Sequence, residues 1–384
     1  MKKMLLIAFG FLLFDAVVAQ SVFNKGADVV VSTGTIVTVG DSLINDGKLT
    51  NDGDIRISGA WINNGTYDAG NGQITFNSNQ TQIINHNDQS FKKLVINGGG
   101  EKKFLANITV ESELNLQNGI LVSDRGAKII LQEGAKIIGA SSQSYIIGPV
   151  EHQGNGDWEF PIGNGTVYLP VAISDVSDSK AIAILSLHEM KGNETLKGDV
   201  DFAKLSDQRY WELNISAGSL DGSRITLPLD NEGLSDDTDL WVVASAQVIT
   251  DPFASLGQSN AQGNAASGKV TSEKSVMTSF LVVGELTDDK IIVVYNGVSP
   301  NDDGANDFLK IHNITLYPNN KVSVFNRWGD KVFEVSGYDN DKFVFKGDNN
   351  LSGSSKLLSG TYFYTIDPGN GSEKITGYLD LRYQ

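Results

Sequence analysis

A loose repeat of short β-rich runs separated by asparagine–glycine turns covers residues 28 to about 148, and it constrains the fold most. One four-residue unit recurs in Ile44-Asn45-Asp46-Gly47, Thr50-Asn51-Asp52-Gly53 and Ile62-Asn63-Asn64-Gly65, and Gln117-Asn118-Gly119 echoes it. An Asn-Gly or Asp-Gly pair accepts positive φ, so each unit predicts a tight turn. The first two units lie six residues apart, which leaves three or four residues for each strand.

Two architectures fit this repeat. One is a stack of β-hairpins, because Asn-Gly and Asp-Gly pairs favour hairpin turns. The other is a β-solenoid, in which the turns are corners of successive rungs. Strands this short are poor hairpin arms and suit the sides of a solenoid. We therefore expect a short right-handed parallel β-helix over residues 20–148, with about 20 residues in each rung and about six rungs.

Strand patterns continue through the rest of the chain, and sustained helical periodicity is almost absent. Residues 149–287 contain strand-turn-strand runs such as Trp158-Glu159-Phe160-Pro161-Ile162-Gly163 and predict an antiparallel β-sandwich. Residues 288–384 carry about seven strand candidates, the number expected of an immunoglobulin-like β-sandwich. The sequence thus predicts an all-β chain of three domains.

The first nineteen residues have the three parts of a secretory signal peptide. Lys2 and Lys3 precede an apolar run from residue 4 to residue 14, and small residues lead to a cleavage site after Ala19. The alternative is a transmembrane anchor, but the run is too short to span ~30 Å of hydrocarbon, and Asp15 interrupts it. We expect an exported protein.

Charge and composition argue against several functions. The chain has 30 basic and 46 acidic side chains, a formal net charge of −16. Binding to nucleic-acid phosphates needs a basic surface, so we expect no DNA or RNA partner. The absence of cysteine removes disulfides, thiol nucleophiles and zinc–cysteine sites. The four histidines are too far apart in sequence to form a local metal-binding pair, and we predict no catalytic residues and no enzyme.

The competing hypothesis is a carbohydrate-active enzyme (a polysaccharide lyase or hydrolase) or a carbohydrate-binding protein built on the β-helix. The side chains that could serve such a groove are Asp52, Asp54, Arg56 and Asp68. Short polar turns explain the same residues without a substrate. Trp61 and Tyr67 would favour sugar binding if they were exposed on the solenoid, whereas burial of both would weaken it. A surface polysaccharide is thus a further candidate partner.

A second group of side-chain oxygens lies between Asn301 and Asp307. The alternation of Asn301, Asp303 and Asp307 around Gly304 resembles the tight loop of a calcium site, because Ca²⁺ takes six to eight oxygen ligands. The alternative is a polar turn held by Asn and Asp side-chain hydrogen bonds, and no glutamate follows at the EF-hand spacing. We predict no cofactor, and calcium at this loop is the candidate that stays open.

Four blocks follow one another near the C-terminus. They are Val298-Ser299-Pro300-Asn301-Asp302-Asp303-Gly304-Ala305-Asn306-Asp307, Val324-Phe325-Asn326-Arg327-Trp328-Gly329-Asp330-Lys331-Val332-Phe333, Leu358-Ser359-Gly360-Thr361-Tyr362-Phe363-Tyr364 and Gly377-Tyr378-Leu379-Asp380-Leu381-Arg382. Over residues ~291–384 they resemble the gliding motility-associated C-terminal domain, the type B sorting domain of the type IX secretion system. Asp302 replaces a usual glycine, Ser359 a common proline or aspartate, and Phe345-Lys346-Gly347 a usual Trp-Asp-Gly.

The resemblance implies a route of export for a bacterial surface protein. A signal peptide takes such proteins across the inner membrane, and the type IX translocon passes them across the outer membrane by reading the C-terminal domain. Type B domains rely on a partner outer-membrane barrel of the SprF-like class. The sorting-motif residues implied here are Ser299, Pro300, Asn301, Asp303, Gly304, Asn306, Asp307, Asn326, Arg327, Trp328, Gly329, Gly360, Thr361, Tyr362, Tyr364, Gly377 and Arg382.

Among these residues, Arg327 and Arg382 are the ones expected to contact a partner, although each could be an internal salt-bridge anchor. Trp328 is expected to cover one end of the core, and the alternation of residues 362–364 should expose at least one aromatic ring. Docking through the sandwich edge and the terminal strand is one mode, because an edge strand offers unpaired backbone groups. The solenoid and the middle sandwich are expected to be a structural or adhesive passenger, secreted or displayed outside the outer membrane.

Overall fold

The computed structural model describes residues 21–191, 195–199, 202–287, 292–301, 304, 306–353 and 355–383. The predicted signal peptide, residues 1–19, lies outside them. The structure is all-β, with 49% strand and 2% helix. The chain divides into two compact units, one up to Glu285 and one from Leu286 onward, and the predicted three-domain division stays a prediction. Within the described ranges, no helix is long and apolar enough to cross a membrane.

The first half of the first unit is a β-solenoid of about seven turns. Its strands are β1 Val22–Asn24, β2 Asp28–Val31, β3 Ile36–Val39, β4 Leu43–Asn45, β5 Lys48–Asn51, β6 Asp54–Ile57, β7 Trp61–Asn63, β8 Thr66–Asp68, β9 Gln73–Phe76, β10 Gln82–Asn85, β11 Ser90–Ile96, β12 Lys102–Phe104, β13 Ile108–Leu116, β14 Leu121–Ser123, β15 Ile129–Leu131, β16 Lys136–Ile138, β17 Ile146–Ile147 and β18 Val150–Gln153. Successive rungs pair in parallel, which confirms the solenoid over the hairpin stack.

Three sheets run along the solenoid. The first has seven strands, β1-β4-β7-β10-β12-β14-β17. The second has the order β3-β6-β9-β11-β13-β15-β18, with β16 also paired to β13, and the third is β2-β5-β8. The early rungs therefore have three sides and the later rungs two. The solenoid has about seven turns where about six were expected, and its last rung extends to β18, beyond the predicted boundary at residue 148.

The glycines at the corners are needed for a different reason from the predicted one. Gly47, Gly53 and Gly65 do not have positive φ, whereas Gly119 does, at 118°. A Cβ on these three glycines would lie 2.4, 2.4 and 2.0 Å from carbonyl oxygens that include those of Ala27, Thr35 and Gly47. Stacked rungs lie only ~4.8 Å apart, so the corner backbones approach too closely for a side chain.

The asparagines of the corner units hold successive rungs together. Asn24, Asn45 and Asn63 are buried and stack in register. The Nδ2 of Asn24 donates to the Oδ1 of Asn45 at 2.7 Å, and the Nδ2 of Asn45 donates to the Oδ1 of Asn63 at 2.7 Å. The ladder gives the amides of Asn24 and Asn45 buried hydrogen bonds along the solenoid axis, so these asparagines serve stability, whereas the buried Nδ2 of Asn63 has no hydrogen-bond partner among the described residues.

Beyond the solenoid, residues 156–286 add a second set of strands. They are β19 Gly156–Phe160, β20 Val171–Val176, β21 Ile182–Glu189, β22 Phe202–Leu205, β23 Arg209–Ala217, β24 Arg224–Pro228, β25 Trp241–Ala246, β26 Ala254–Ser255, β27 Asn260–Gln262, β28 Lys269–Thr271 and β29 Ser279–Leu286. A single-turn 3₁₀ helix at Thr238–Leu240 precedes β25. β18 pairs in parallel with β15 and antiparallel with β21, so one solenoid sheet continues as β18-β21-β23-β29-β25-β26.

A separate five-stranded sheet, β19-β20-β24-β28-β27, completes this region. Buried residues of this sheet, of the continued sheet and of the solenoid belong to one hydrophobic core. The predicted boundary at residue 148 coincides with the change from parallel to antiparallel pairing. That these two sheets form the predicted sandwich stays a prediction.

The second unit is antiparallel for the most part. Its strands are β30 Val293–Val294, β31 Gly297–Val298, β32 Ile311–His312, β33 Lys321–Phe325, β34 Lys331–Ser336, β35 Asp348–Asn349, β36 Ser355–Lys356, β37 Gly360–Asp367 and β38 Ile375–Leu381, with a 3₁₀ turn at Ile314–Leu316. The main sheet has the order β31-β38-β37-β33-β34, and a separate core lies against it. The immunoglobulin-like topology stays a prediction.

Candidate functional site

Three aromatic side chains form a row across the outer face of the main sheet in the C-terminal unit. Phe325 on β33 lies opposite Phe363 on β37, and Phe363 lies opposite Tyr378 on β38. Phe363 is 48% exposed and Tyr378 57% exposed, while Phe325 is half-buried. We call Phe325, Phe363 and Tyr378 the aromatic row. Contiguous exposed apolar surface of this kind marks interaction sites more often than single exposed residues do.

Strand alternation explains why these rings face outward. Tyr362 and Tyr364, which flank Phe363 in sequence, point inward and are buried. This confirms that alternation leaves one aromatic of residues 362–364 exposed. The sequence alone did not reveal the row, because its three members lie in three separate strands and only the register brings them together.

A tight turn beside the row displays the most exposed aromatic of the unit's described residues. The Oδ1 of Asn326 accepts hydrogen bonds from the backbone amides of Trp328 and Asp330, both at 2.9 Å, and Gly329 has a φ of 88°. Trp328 is 75% exposed, so the expectation that it covers the core is wrong. The Arg327 guanidinium lies 4.8 Å from the Trp328 ring centroid.

The glycine of the last motif block has a packing role. Gly377 lies opposite Tyr364, and a Cβ at residue 377 would lie 2.2 Å from the Tyr364 hydroxyl. The buried Tyr364 ring therefore occupies the space that a side chain at residue 377 would need. Gly360 and Thr361, at the start of the same strand, pair with Leu381 and Asp380. These motif residues set the register of β37 and β38.

Charged side chains border the aromatic row. The Arg382 guanidinium bonds the carboxylate of Asp380 at 2.7 Å and remains largely exposed. On the other side, hydrogen bonds from Lys331 and Lys321 lower the pKa of Glu334 to about 2. Arg382 therefore has an intramolecular partner, as one of the two sequence alternatives held, yet this exposed pair is weak enough to exchange for another partner.

The terminal strand is not an edge of the sheet at its C-terminal end. β31 pairs with β38 in parallel, with Val298 opposite Leu381, and the amide of Arg382 donates to the carbonyl of Val298 at 2.9 Å. Strand addition at that end of β38 would have to displace β31. β34 forms the other edge of this sheet, so docking through a sheet edge stays a prediction, and the face of the sheet is a second accessible surface.

The predicted calcium loop is a hydrogen-bonded turn in its described part. The two carboxylate oxygens of Asp307 accept backbone amides of Asn301, at 3.2 Å, and Gly304, at 2.8 Å. The amide of Ser299 donates to the carbonyl of Asn306 at 2.7 Å, and the neighbouring Pro300 is half-buried. Asp303 lies outside the described residues, so calcium binding stays a prediction. Among the residues that are described, no three His, Cys, Asp or Glu side chains cluster as metal ligands.

The aromatic pair predicted as a sugar platform on the solenoid is inside the core. Trp61 is fully buried and Tyr67 nearly so, with ring centroids 5.4 Å apart in an edge-on arrangement. The indole N–H of Trp61 donates to the Nδ1 of His86 at 3.0 Å, and the His86 ring stacks on Phe91. These side chains therefore offer no exposed stacking surface. Inward-facing positions of a strand stack from rung to rung, and Trp61 is opposite Leu43 and Ile84.

The solenoid carboxylates are engaged locally. Asp54 pairs with Arg56 at 2.8 Å, both on β6. The Oδ1 of Asp52 accepts the amide of Asn71 at 3.0 Å, and that of Asp68 accepts the amide of Gly70. These are the polar-turn contacts that the sequence offered as the alternative to a substrate groove.

The comparison with protein families agrees with this part of the molecule. Residues 292–381 match the model of the CHU_C type IX secretion signal domain. The C-terminal unit therefore carries a type IX secretion signal, which implies a secreted or cell-surface protein. No curated protein matches the chain, and no solved structure does.

Proposed function

We propose that the protein is a surface protein of a bacterium, exported by the type IX secretion system and held or released outside the outer membrane. The C-terminal unit is the sorting signal, recognised by the translocon and by an outer-membrane barrel of the SprF-like class. The observation that carries this proposal is the match of residues 292–381 to a type IX secretion signal domain.

The aromatic row, with Trp328 and Arg327 beside it, is the recognition surface that we propose. Tyr, Trp and Arg are enriched among the side chains that dominate binding energy at protein interfaces, and aromatic rings supply a large contact area there. Phe363 and Tyr378 gain little from the fold at their present exposure. Because about half of each side chain is already covered, complete burial against a partner would gain roughly 1 kcal/mol for each.

For residues 21–285 we propose a structural or adhesive passenger and no enzymatic activity. The engagement of Asp52, Asp54 and Asp68 in local contacts supports this. We also propose that the two sheets of residues 156–286 form a sandwich that continues the solenoid, and that the C-terminal unit is immunoglobulin-like. Support comes from the common core in the first unit and from the five-stranded sheet in the second.

The test is the localisation of a fluorescent protein that carries the signal peptide and residues 291–384. Surface or medium fluorescence that disappears in a type IX secretion mutant supports the sorting role. The full-length protein without residues 291–384 should remain in the periplasm, and normal display of that truncate would contradict the proposal.

The recognition surface has its own test in the same reporter. The double change Phe363→Ala and Tyr378→Ala should reduce export at least tenfold without loss of folded protein. Phe343→Ala is the matched control, because Phe343 is 54% exposed in the same unit but lies outside the strands of the main sheet. Equal export of the two variants would remove the aromatic row from the proposal and leave the sorting role intact.

A further inference from the structure

A groove of about 600 Å³ opens on the outer face of the five-stranded sheet β19-β20-β24-β28-β27 in the first unit. Its floor follows one row of paired residues, in which Ala172 lies opposite Glu159 on one side and Thr226 on the other. The small methyl of Ala172 between two larger side chains makes this face concave. Pro170 is half-buried and extends the lining with apolar surface, whereas Pro228 is buried.

One wall of the groove is the aromatic ring of Tyr168. Its hydroxyl lies 3.5 Å from Oε1 of Glu159, and its ring centroid is 5.9 Å from that of Tyr145. Burial and the nearby Glu159 raise the pKa of Tyr168, so the hydroxyl stays protonated and donates to Glu159. The wall therefore combines a flat π-face with a polar tip.

The opposite wall is a loop that is already fixed. The Oδ1 of Asn264 accepts the amides of Ala266 and Ser267, both at 3.0 Å, and closes a tight turn. The amide of Leu229 donates to the carbonyl of Gly268 at 2.8 Å and ties the loop to the sheet. A groove with both walls held in place loses little conformational entropy when a ligand binds.

The charged side chains that line the groove are Asp157, Glu159, Asp230 and Lys269, three acidic and one basic. Asp230 pairs with the buried Arg209 at 3.5 Å, and Glu159 accepts a hydrogen bond from the Tyr168 hydroxyl. Carboxylate oxygens also accept hydrogen bonds from sugar hydroxyls. An anionic polymer is repelled by this lining and by a chain of net charge −16.

We propose that this groove binds a neutral polysaccharide chain. Its open surface suits a polymer, the Tyr168 ring and Pro170 suit the C–H faces of pyranose rings, and the side chains of Asp157, Thr226 and Lys269 suit sugar hydroxyls as acceptors and donors. The site is distinct from the solenoid face that the sequence suggested for sugar, and it is independent of the sorting proposal.

The test is affinity electrophoresis of the purified chain from residue 20 to residue 384 in gels that contain β-glucan, galactomannan, xylan or alginate. We expect retardation by at least one neutral polysaccharide and none by alginate. Ala172→Arg should reduce the association constant at least tenfold, because the long side chain fills the floor from an exposed strand face. Ala254→Arg is the matched control, since Ala254 is an exposed strand residue of the same unit on β26.

Tyr168→Ala is the second variant, and its melting temperature separates loss of stacking from loss of folding. Absence of retardation in every neutral gel would overturn the proposal, and so would equal retardation of wild type and Ala172→Arg. Binding to polylysine alone, measured by calorimetry, would identify a site for basic peptides and would overturn it as well. Export of the reporter is unaffected by any of these outcomes, so the sorting proposal is judged separately.

Discussion

The solenoid and the C-terminal unit use aromatic side chains in opposite ways. In the solenoid, Trp61, Tyr67 and Phe91 meet in the interior. In the C-terminal unit, Phe363 and Tyr378 lie in register on an exposed sheet face. Both sets lie on strands along which inward-facing and outward-facing side chains alternate. The difference shows that an aromatic residue in a strand indicates stability or recognition only after the covered face is known.

The physical cause is how each architecture closes. A solenoid rung turns back on itself, so its inward positions are enclosed by the other sides and by the rungs above and below. A single antiparallel sheet covers one face with its core and leaves the other to solvent. The aromatic row occupies that second face, where it contributes little to folding and remains available to a partner.

Replacement of one tryptophan in each region should show the largest difference in stability between them. Trp61→Ala should destabilise the first unit by about 3–5 kcal/mol, because it leaves a large cavity and removes the hydrogen bond to His86. Trp328→Ala should change the stability of the second unit by less than about 1 kcal/mol. Urea unfolding of both variants measures this, and similar losses would contradict the contrast.

Acid should have the next largest effect, because two buried histidines of the first unit resist protonation in the folded state. Burial lowers the pKa of His86 to about 3 and that of His152 to about 4, so both are neutral when folded. These folded pKa values lie below the unfolded value of ~6.5. The two histidines therefore do not lower stability above pH ~6.5, and the free energy of unfolding decreases as the pH falls from ~6.5 toward ~4. Protonation of His86 in the unfolded state should by itself lower the free energy of unfolding by about 3 kcal/mol at pH 4.

Urea unfolding at pH 7 and pH 4.5 measures this loss. His86→Gln should show a smaller pH dependence than wild type, because an amide cannot take up the proton in the unfolded state. An unchanged pH dependence in that variant would assign the acid sensitivity to other groups.

A glycine pair tests the corner geometry with a smaller effect. Gly65→Ala should destabilise the solenoid by about 2 kcal/mol or more, because the new Cβ meets the carbonyl oxygen of Gly47 at 2.0 Å. Gly297→Ala is the control, since a Cβ there meets nothing within 4 Å and Gly297 does not have positive φ. Equal melting temperatures for the two variants would show that the rungs can separate to accept a side chain.

Calcium is expected to have the smallest effect, and only on the second unit. If the loop that contains Asn301 and Asp307 binds Ca²⁺ at ten times its Kd, chelation should lower stability by about 1.4 kcal/mol. Calorimetry with and without chelator measures the shift in melting temperature. No shift would leave the loop as the hydrogen-bonded turn that Asp307 organises.

The sequence by itself determined the local and periodic features. Turn units six residues apart leave strands too short for hairpins, so the solenoid followed from spacing alone. The four motif blocks near the C-terminus resemble those of the sorting domain, and residues 292–381 match the model of that domain. These features are local because they depend on neighbours within a few positions.

Only the tertiary structure decided which face of each strand is covered. It buried Trp61, exposed Trp328, and placed Phe325, Phe363 and Tyr378 in one row. It also made the corner glycines a requirement of close stacking rather than of positive φ, and it formed a groove around Ala172. Register and burial depend on segments that are distant in sequence, because a strand shows the same alternation whichever of its faces another layer covers.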